Sequence, residues 1–158
     1  MNNLAWLPET AYLPAGTAVD SAPYHMGDAT IDFKIIPATD VGVLVIENTL
    51  QRPGGPARHL HHAQEEWFYV LQGDFLIEVG TQRQQLTVGD ALLAPREVPH
   101  AWAFTGGGTG RLLIAFLPAG QMPAFFQEVS KANAMPAPDP DLWRAYGMEL
   151  VGPPLLSP

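Results

Sequence analysis

The chain contains no cysteine, which removes disulfides, thiolate nucleophiles and cysteine-based zinc sites and leaves histidine and carboxylate as its strong metal ligands. Basic residues are scarce as well: 8 Lys and Arg stand against 16 Asp and Glu, a formal charge of −8 over 158 residues. The few cations do not cluster, so the surface field repels phosphate backbones and anionic membranes, and nucleic-acid binding is disfavoured. No apolar run approaches the length of a membrane span. The opening Met1-Asn2-Asn3-Leu4-Ala5-Trp6-Leu7-Pro8-Glu9 lacks the basic and apolar regions of a secretory signal, so a cytoplasmic location is the default expectation. An internal repeat is also missing, and one strand set rather than two duplicated halves is expected.

What is present points to short strands. The length suits a single domain, 1–158, and 15 Gly and 16 Pro separate short apolar stretches. Alternation at Ile31, Phe33 and Ile35 predicts one strand, and Val41 to Glu47 a second, more buried one. Arg52-Pro53-Gly54-Gly55-Pro56 follows as a rigid loop that cannot continue a sheet ladder. Further strands are expected over Glu66 to Gln72, Phe75 to Val79, Gln82 to Val88, Ala91 to Ala94 and Arg111 to Leu117, with another entered at Pro99. Turn signals at intervals of roughly ten residues mark an all-β barrel or sandwich, its core at about 29–118. A helical tail is expected over about 121–158. Within it, Met122 to Ala132 spaces Phe125, Phe126 and Val129 as a helix does, and Asp139 to Gly147 carries an acidic N-cap, an early Pro and a Gly stop. Hydrophobic residues reach 47% against 15% charged, with mean hydropathy +0.03, which suits a subunit that hides surface in a homodimer.

Four residues carry the chemistry. His59 and His61 are two apart on a strand, so both project to one face while Leu60 points away. Glu66 begins a strand on which Glu66, Phe68 and Val70 share a face. It can join the histidines only if His62-Ala63-Gln64 forms a bend or bulge, because five residues of unbroken strand reverse the side. Glu65, nearer that bend, is the rival, and the register favours Glu66. His100 then shares a face with Trp102 and Phe104. Three imidazoles and one carboxylate suit Fe, Mn, Ni, Co, Cu or Zn and leave coordination positions open. His62 has the wrong parity and is expected to point outward or to support the ligands from behind, and His25 to be an N-terminal packing or surface residue. Phe33, Phe68, Trp102 and Phe104 are core by default, with a wall for an apolar or aromatic substrate as their functional alternative.

These motifs resemble those of the cupins, specifically small bacterial single-domain cupins similar to quercetin 2,3-dioxygenase. In the first cupin motif, His59-Leu60-His61, Glu66 after four residues and Gly73 after six more fall in register, while four residues instead of five separate Gly54 from His59. In the second, Gly89, Pro95 and His100 match, Glu97 replaces a Gly and Phe104 replaces an Asn. The segment Tyr69 to Gly73 and the tail Gly147 to Leu155 are similar too. The resemblance implies a single cupin barrel, a double-stranded β-helix or jelly roll, followed by short C-terminal helices. It further implies one divalent transition metal held by His59, His61, Glu66 and His100, usually in a homodimer.

The resulting expectation is a metal-dependent dioxygenase acting with O2 on a small hydroxylated aromatic or enol-type molecule, with Glu66 also serving as general base. The rivals are non-redox isomerisation or hydrolysis at the same ion, and capture of a small ligand without turnover. Fold alone does not choose among them.

Overall fold

A computed structural model describes residues 12–20 and 23–156; the opening segment read above for targeting lies outside them. Among the described residues, eleven strands form two antiparallel sheets facing one another. The first holds β1 (Tyr24–Met26), β2 (Ala29–Ile35), β3 (Leu44–Leu50), β10 (Gly110–Leu117), β5 (Glu65–Gln72) and β8 (Ala91–Ala94), in that order. The second runs β11 (Met148–Pro154), β4 (Ala57–His61), β9 (His100–Phe104), β6 (Phe75–Val79) and β7 (Gln82–Leu86). Inward-facing side chains of both sheets make one core, with Phe33, Phe68, Phe75, Phe104 and Phe116 among its largest buried members. This is the all-β jelly roll expected, with short helices α1 (Met122–Val129) and α2 (Pro140–Ala145) near the C-terminus.

The local chemistry of both helices follows the sequence. In α1, Met122, Phe125, Phe126 and Val129 are buried, a stripe at helical spacing that lies against the barrel. The helix stops at Val129 and tightens into a 3-10 turn at Ser130–Ala132, so the helix expected to reach Ala132 ends in two kinds of winding. The Asp139 side chain accepts hydrogen bonds from the backbone N–H groups of Asp141 and Leu142, at 3.0 and 3.4 Å, and so caps α2.

Three expectations are corrected. The strand placed at Val41 to Glu47 lies at Leu44–Leu50, because the N–H groups of Ala119 and Gly120 bind the carbonyls of Gly42 and Asp40 and hold that segment in a turn. The loop from Arg52 to Pro56 does enter the ladder: Gly54 and Phe104 exchange both backbone hydrogen bonds, at 3.0 and 2.8 Å, between the two prolines. Gly55 is required beside it, since a Cβ there would stand 1.9 Å from the Trp102 carbonyl oxygen. Finally, the tail is not wholly helical. β11 pairs with β4, matching Met148 to His61 and Leu150 to His59, and covers what would otherwise be the open edge of that strand.

Candidate metal centre

The two sheets each contribute to one buried cluster. β4 and β9 are neighbours in the five-stranded sheet with His59 opposite His100, so parity aims His59, His61 and His100 inward together. Glu66 comes from β5 in the other sheet and closes the group from across the core. Residues 62–64 break the strand, as the parity argument required, and Glu66 rather than Glu65 turns inward. Glu65 instead receives two hydrogen bonds from Arg96 at the surface. One ligand atom from each of His59, His61, Glu66 and His100 lies within 4.8 Å of the others, and all four residues are buried.

Each imidazole is held by its far nitrogen. Nδ1 of His59 faces the Ala57 carbonyl at 2.8 Å and Nδ1 of His100 the Val98 carbonyl at 3.0 Å. His61 Nδ1 faces Gln64 Oε1 at 3.0 Å, and Gln64 in turn donates through Nε2 to the carbonyls of Pro118 and Ala119, at 3.0 and 2.5 Å. Acceptors at all three Nδ1 positions hold the proton there and leave Nε2 as a lone pair directed inward. Those nitrogens lie 3.8 Å (His59), 3.0 Å (His61) and 2.7 Å (His100) from Glu66 Oε2. Lone pairs and a carboxylate converging in a buried space repel one another until a cation, a proton or a metal ion, joins them.

The titration behaviour follows from that crowding. Burial pushes His59 down to about 4, against the pull of the Glu66 carboxylate. Burial also acts to lower His100, but the charge and hydrogen bond of Glu66 outweigh it and raise the imidazole above its ordinary value. Burial alone would raise Glu66. The charge that His100 can carry, and its hydrogen bond, lead the crowd of imidazoles that instead holds it well below the usual carboxylate range. Of the three imidazoles, His100 is thus the one toward which Glu66 draws a proton. Three neutral nitrogens and a carboxylate are a donor set that fits a divalent transition metal, which would replace that proton.

A cavity of about 530 Å³, its open mouth included, reaches the cluster and is lined by His59, His61 and Glu66. The rest of its lining is almost wholly apolar. Trp102 faces it as expected, but Phe33, Phe68 and Phe104 do not line it. Phe68 backs His100 edge-on at 6.2 Å between centroids, Phe33 packs on Tyr24 and Phe126, and Phe104 packs on Phe75. Much of the wall comes instead from the chain that follows β10: Met122, Phe125 and Phe126 of α1, Trp143 of α2 and Met148 of β11, with Met26, Leu50, Ile114 and Phe116 from the earlier strands. The Trp143 indole lies 5.0 Å from the His59 ring and donates to the Ala137 carbonyl at 3.0 Å. Gln64 and this wall were not singled out from sequence; the helical spacing of Phe125 and Phe126 was the one visible signal for the wall. His62 points outward between Glu97 and Glu149, and His25 is exposed, as parity and context predicted.

Comparison with known proteins agrees with this architecture. Residues 49–116 match the Cupin domain family, a stretch holding all four clustered residues. Protein SchB of Streptomyces halstedii is 32% identical over 84 residues, 52% of this chain and 57% of the relative. The matched stretch thus spans little more than half the length of that protein. Among solved structures, KdgF from Halomonas sp. superposes with a TM-score of 0.51 at 22% identity, over 58% of this chain and 79% of that one. An RmlC-like cupin from Shewanella frigidimarina superposes with 0.51 at 20% identity, over 67% of this chain and 93% of the other. At such identities the structural likeness shows the fold alone.

Proposed function

We propose that the chain is a metal-dependent dioxygenase, quercetinase-like in type, acting on a small hydroxylated aromatic or enol-type substrate. The observation that carries this reading is the meeting of two unlike surfaces: three Nε2 lone pairs and a carboxylate on one side, and a ring of aromatic and methionine side chains on the other. His59, His61, His100 and Glu66 would hold the ion, with Fe, Mn, Ni, Co, Cu and Zn all compatible with the donor set. When bound, such an ion supplies Lewis acidity toward a substrate oxygen and, if redox-active, a route to O2 chemistry.

The remaining steps belong to the side chains. Glu66, whose carboxyl is held well below the usual carboxylate range, is the general base for a substrate hydroxyl proton. Trp143, Phe125 and Phe126 exclude water and offer flat faces against which a ring can stack. Trp102 belongs to the same wall. The site is proposed to work in a homodimer in the cytoplasm. Ile35, Val41, Val43 and Leu117 support the dimer, since they remain exposed around one end of the six-stranded sheet.

Oxygen uptake with flavonols and catechol-like compounds tests the reading. Consumption is expected for protein loaded with one of Fe, Mn, Ni, Co or Cu. No uptake with any of them, or turnover that proceeds equally without oxygen, would replace this reading with non-redox chemistry at the same ion.

A further inference from the structure

One polar group in the cavity has no role in the metal cluster. Asn48 lies on β3 in the inward-facing series Leu44, Ile46, Asn48 and Leu50, so the pleat places a carboxamide where its neighbours bury alkyl groups. Its cross-strand partners Ile31 and Leu112 are fully buried, and Asn48 itself is 4% exposed. It is the one polar lining side chain of the cavity outside His59, His61 and Glu66, apart from the Trp102 and Trp143 indoles. Among the described residues, Asn48 Oδ1 is also the one buried side-chain oxygen or nitrogen with no hydrogen-bond partner. An acceptor left unpaired among apolar neighbours costs stability that Leu or Val at the same position would not.

We propose that Asn48 Oδ1 accepts a hydrogen bond from a hydroxyl or N–H group carried on the apolar body of the ligand, and so selects ligands bearing such a donor. The inference rests on reading this cavity as the ligand site and is indifferent to whether the chemistry at the ion is oxidative. A buried acceptor of this kind discriminates by exclusion. A ligand of the same shape without the donor leaves the carboxamide desolvated and unpaired, whereas one with the donor completes it.

Three bicyclic compounds of one shape provide the test: indole, which carries an N–H donor, indene, which carries neither donor nor acceptor, and benzofuran, which carries only an acceptor. Binding of each to the zinc-loaded full chain is measured by calorimetry, for the wild type and for Asn48→Leu. The expected result is that the wild type favours indole over indene by about tenfold, the scale of one satisfied hydrogen bond. In Asn48→Leu that preference disappears while the ligand-free melting temperature rises by about 2–4 °C. Equal binding of indole and indene, preference for benzofuran, no binding by any of the three, an unchanged preference in Asn48→Leu, or a lower melting temperature in that variant would each overturn the assignment. Should the variant not fold, the wild-type ranking alone decides. Absence of oxygen uptake would sink the oxygenase reading and leave this ranking untouched.

Discussion

The two sides of the cavity are built by opposite rules. On one side, four polar groups lie within 4.8 Å and each of the three imidazoles is fixed by a specific partner: a carbonyl behind His59, another behind His100, and Gln64 behind His61. On the other, Met122, Phe125, Phe126 and Trp143 come from helices that follow β10 and pack mainly through shape, the Trp143 indole alone adding a hydrogen bond. Geometry on the first side is set by hydrogen bonds that tolerate little displacement, and on the second by shape and area. The ion should therefore be sensitive to single polar atoms, and the ligand to the volume of the wall.

The sharpest way to separate the two sides is Trp143→Ala. Removing a side chain that is 2% exposed should destabilise the protein by about 3–5 kcal/mol, seen in urea unfolding, while metal stoichiometry stays near that of the wild type. Parallel loss of metal would show that the wall also holds the cluster through His59. Conversely, His61→Ala or His100→Ala should weaken metal binding by about 100-fold or more, with far-UV circular dichroism unchanged; elemental analysis and calorimetry read both. Gln64→Ala should fall between, at about 10–100-fold, as expected for a side chain that orients a ligand rather than binding the ion. If it matched the wild type, the Nδ1 bond of His61 would be ornamental.

Acidity sharpens the same contrast, because it acts on the polar side alone. His100 is raised by Glu66, so below that raised value an incoming ion must displace a proton, and apparent affinity should climb by up to about tenfold per pH unit until His100 is neutral, then level off. Calorimetry in buffers of different ionisation enthalpy should detect the released proton. For the metal-free protein the signs differ by residue. His59, lowered to about 4, binds its proton in the unfolded chain first, so its contribution is present above pH 6.5 and is lost as pH falls toward 4. His100 is the reverse: its contribution is complete below pH 6.5 and is lost as pH rises through the raised value. Glu66 contributes above pH 4.5, and this is lost only as pH falls through its depressed value. Denaturant midpoints across this range check the three signs.

The smallest effect concerns Glu97, which stands where the second cupin motif carries glycine. Its φ is 63°, a left-handed conformation that strains a residue with a Cβ, while its N–H donates to the His61 carbonyl at 2.7 Å. Glu97→Gly keeps that bond and relieves the strain, so stability should rise by about 1 kcal/mol, read as a higher denaturation midpoint. The His62 contact that it removes is exposed and 3.5 Å long, too weak to offset the gain.

The polar side was largely readable beforehand and the apolar side was not. Spacing of two puts His59 and His61 on one face, and the forced bend at His62-Ala63-Gln64 selects Glu66 over Glu65; both inferences need only the period of a strand. Period says nothing about depth, however. Phe33, Phe68 and Phe104 have the inward parity expected of a ligand wall, yet they do not line the cavity and pack against other rings. Trp143 and Met148 reach the cavity from about 80 residues beyond His59 and His61, through a helix and a strand whose docking follows no short-range rule. Asn48 carried a signal that parity could have used: a carboxamide in an inward series of Leu44, Ile46 and Leu50.

By itself, then, the order of residues determined most of the barrel strands, their inward faces and which four side chains cluster, because backbone periodicity converts spacing directly into direction. Tertiary structure alone decided which of the inward aromatics meet open space, which nitrogen of each imidazole is free, and that a lone carboxamide oxygen is left without a partner. Those outcomes depend on contacts between segments far apart in the chain, where packing and hydrogen bonding are settled by the whole fold at once.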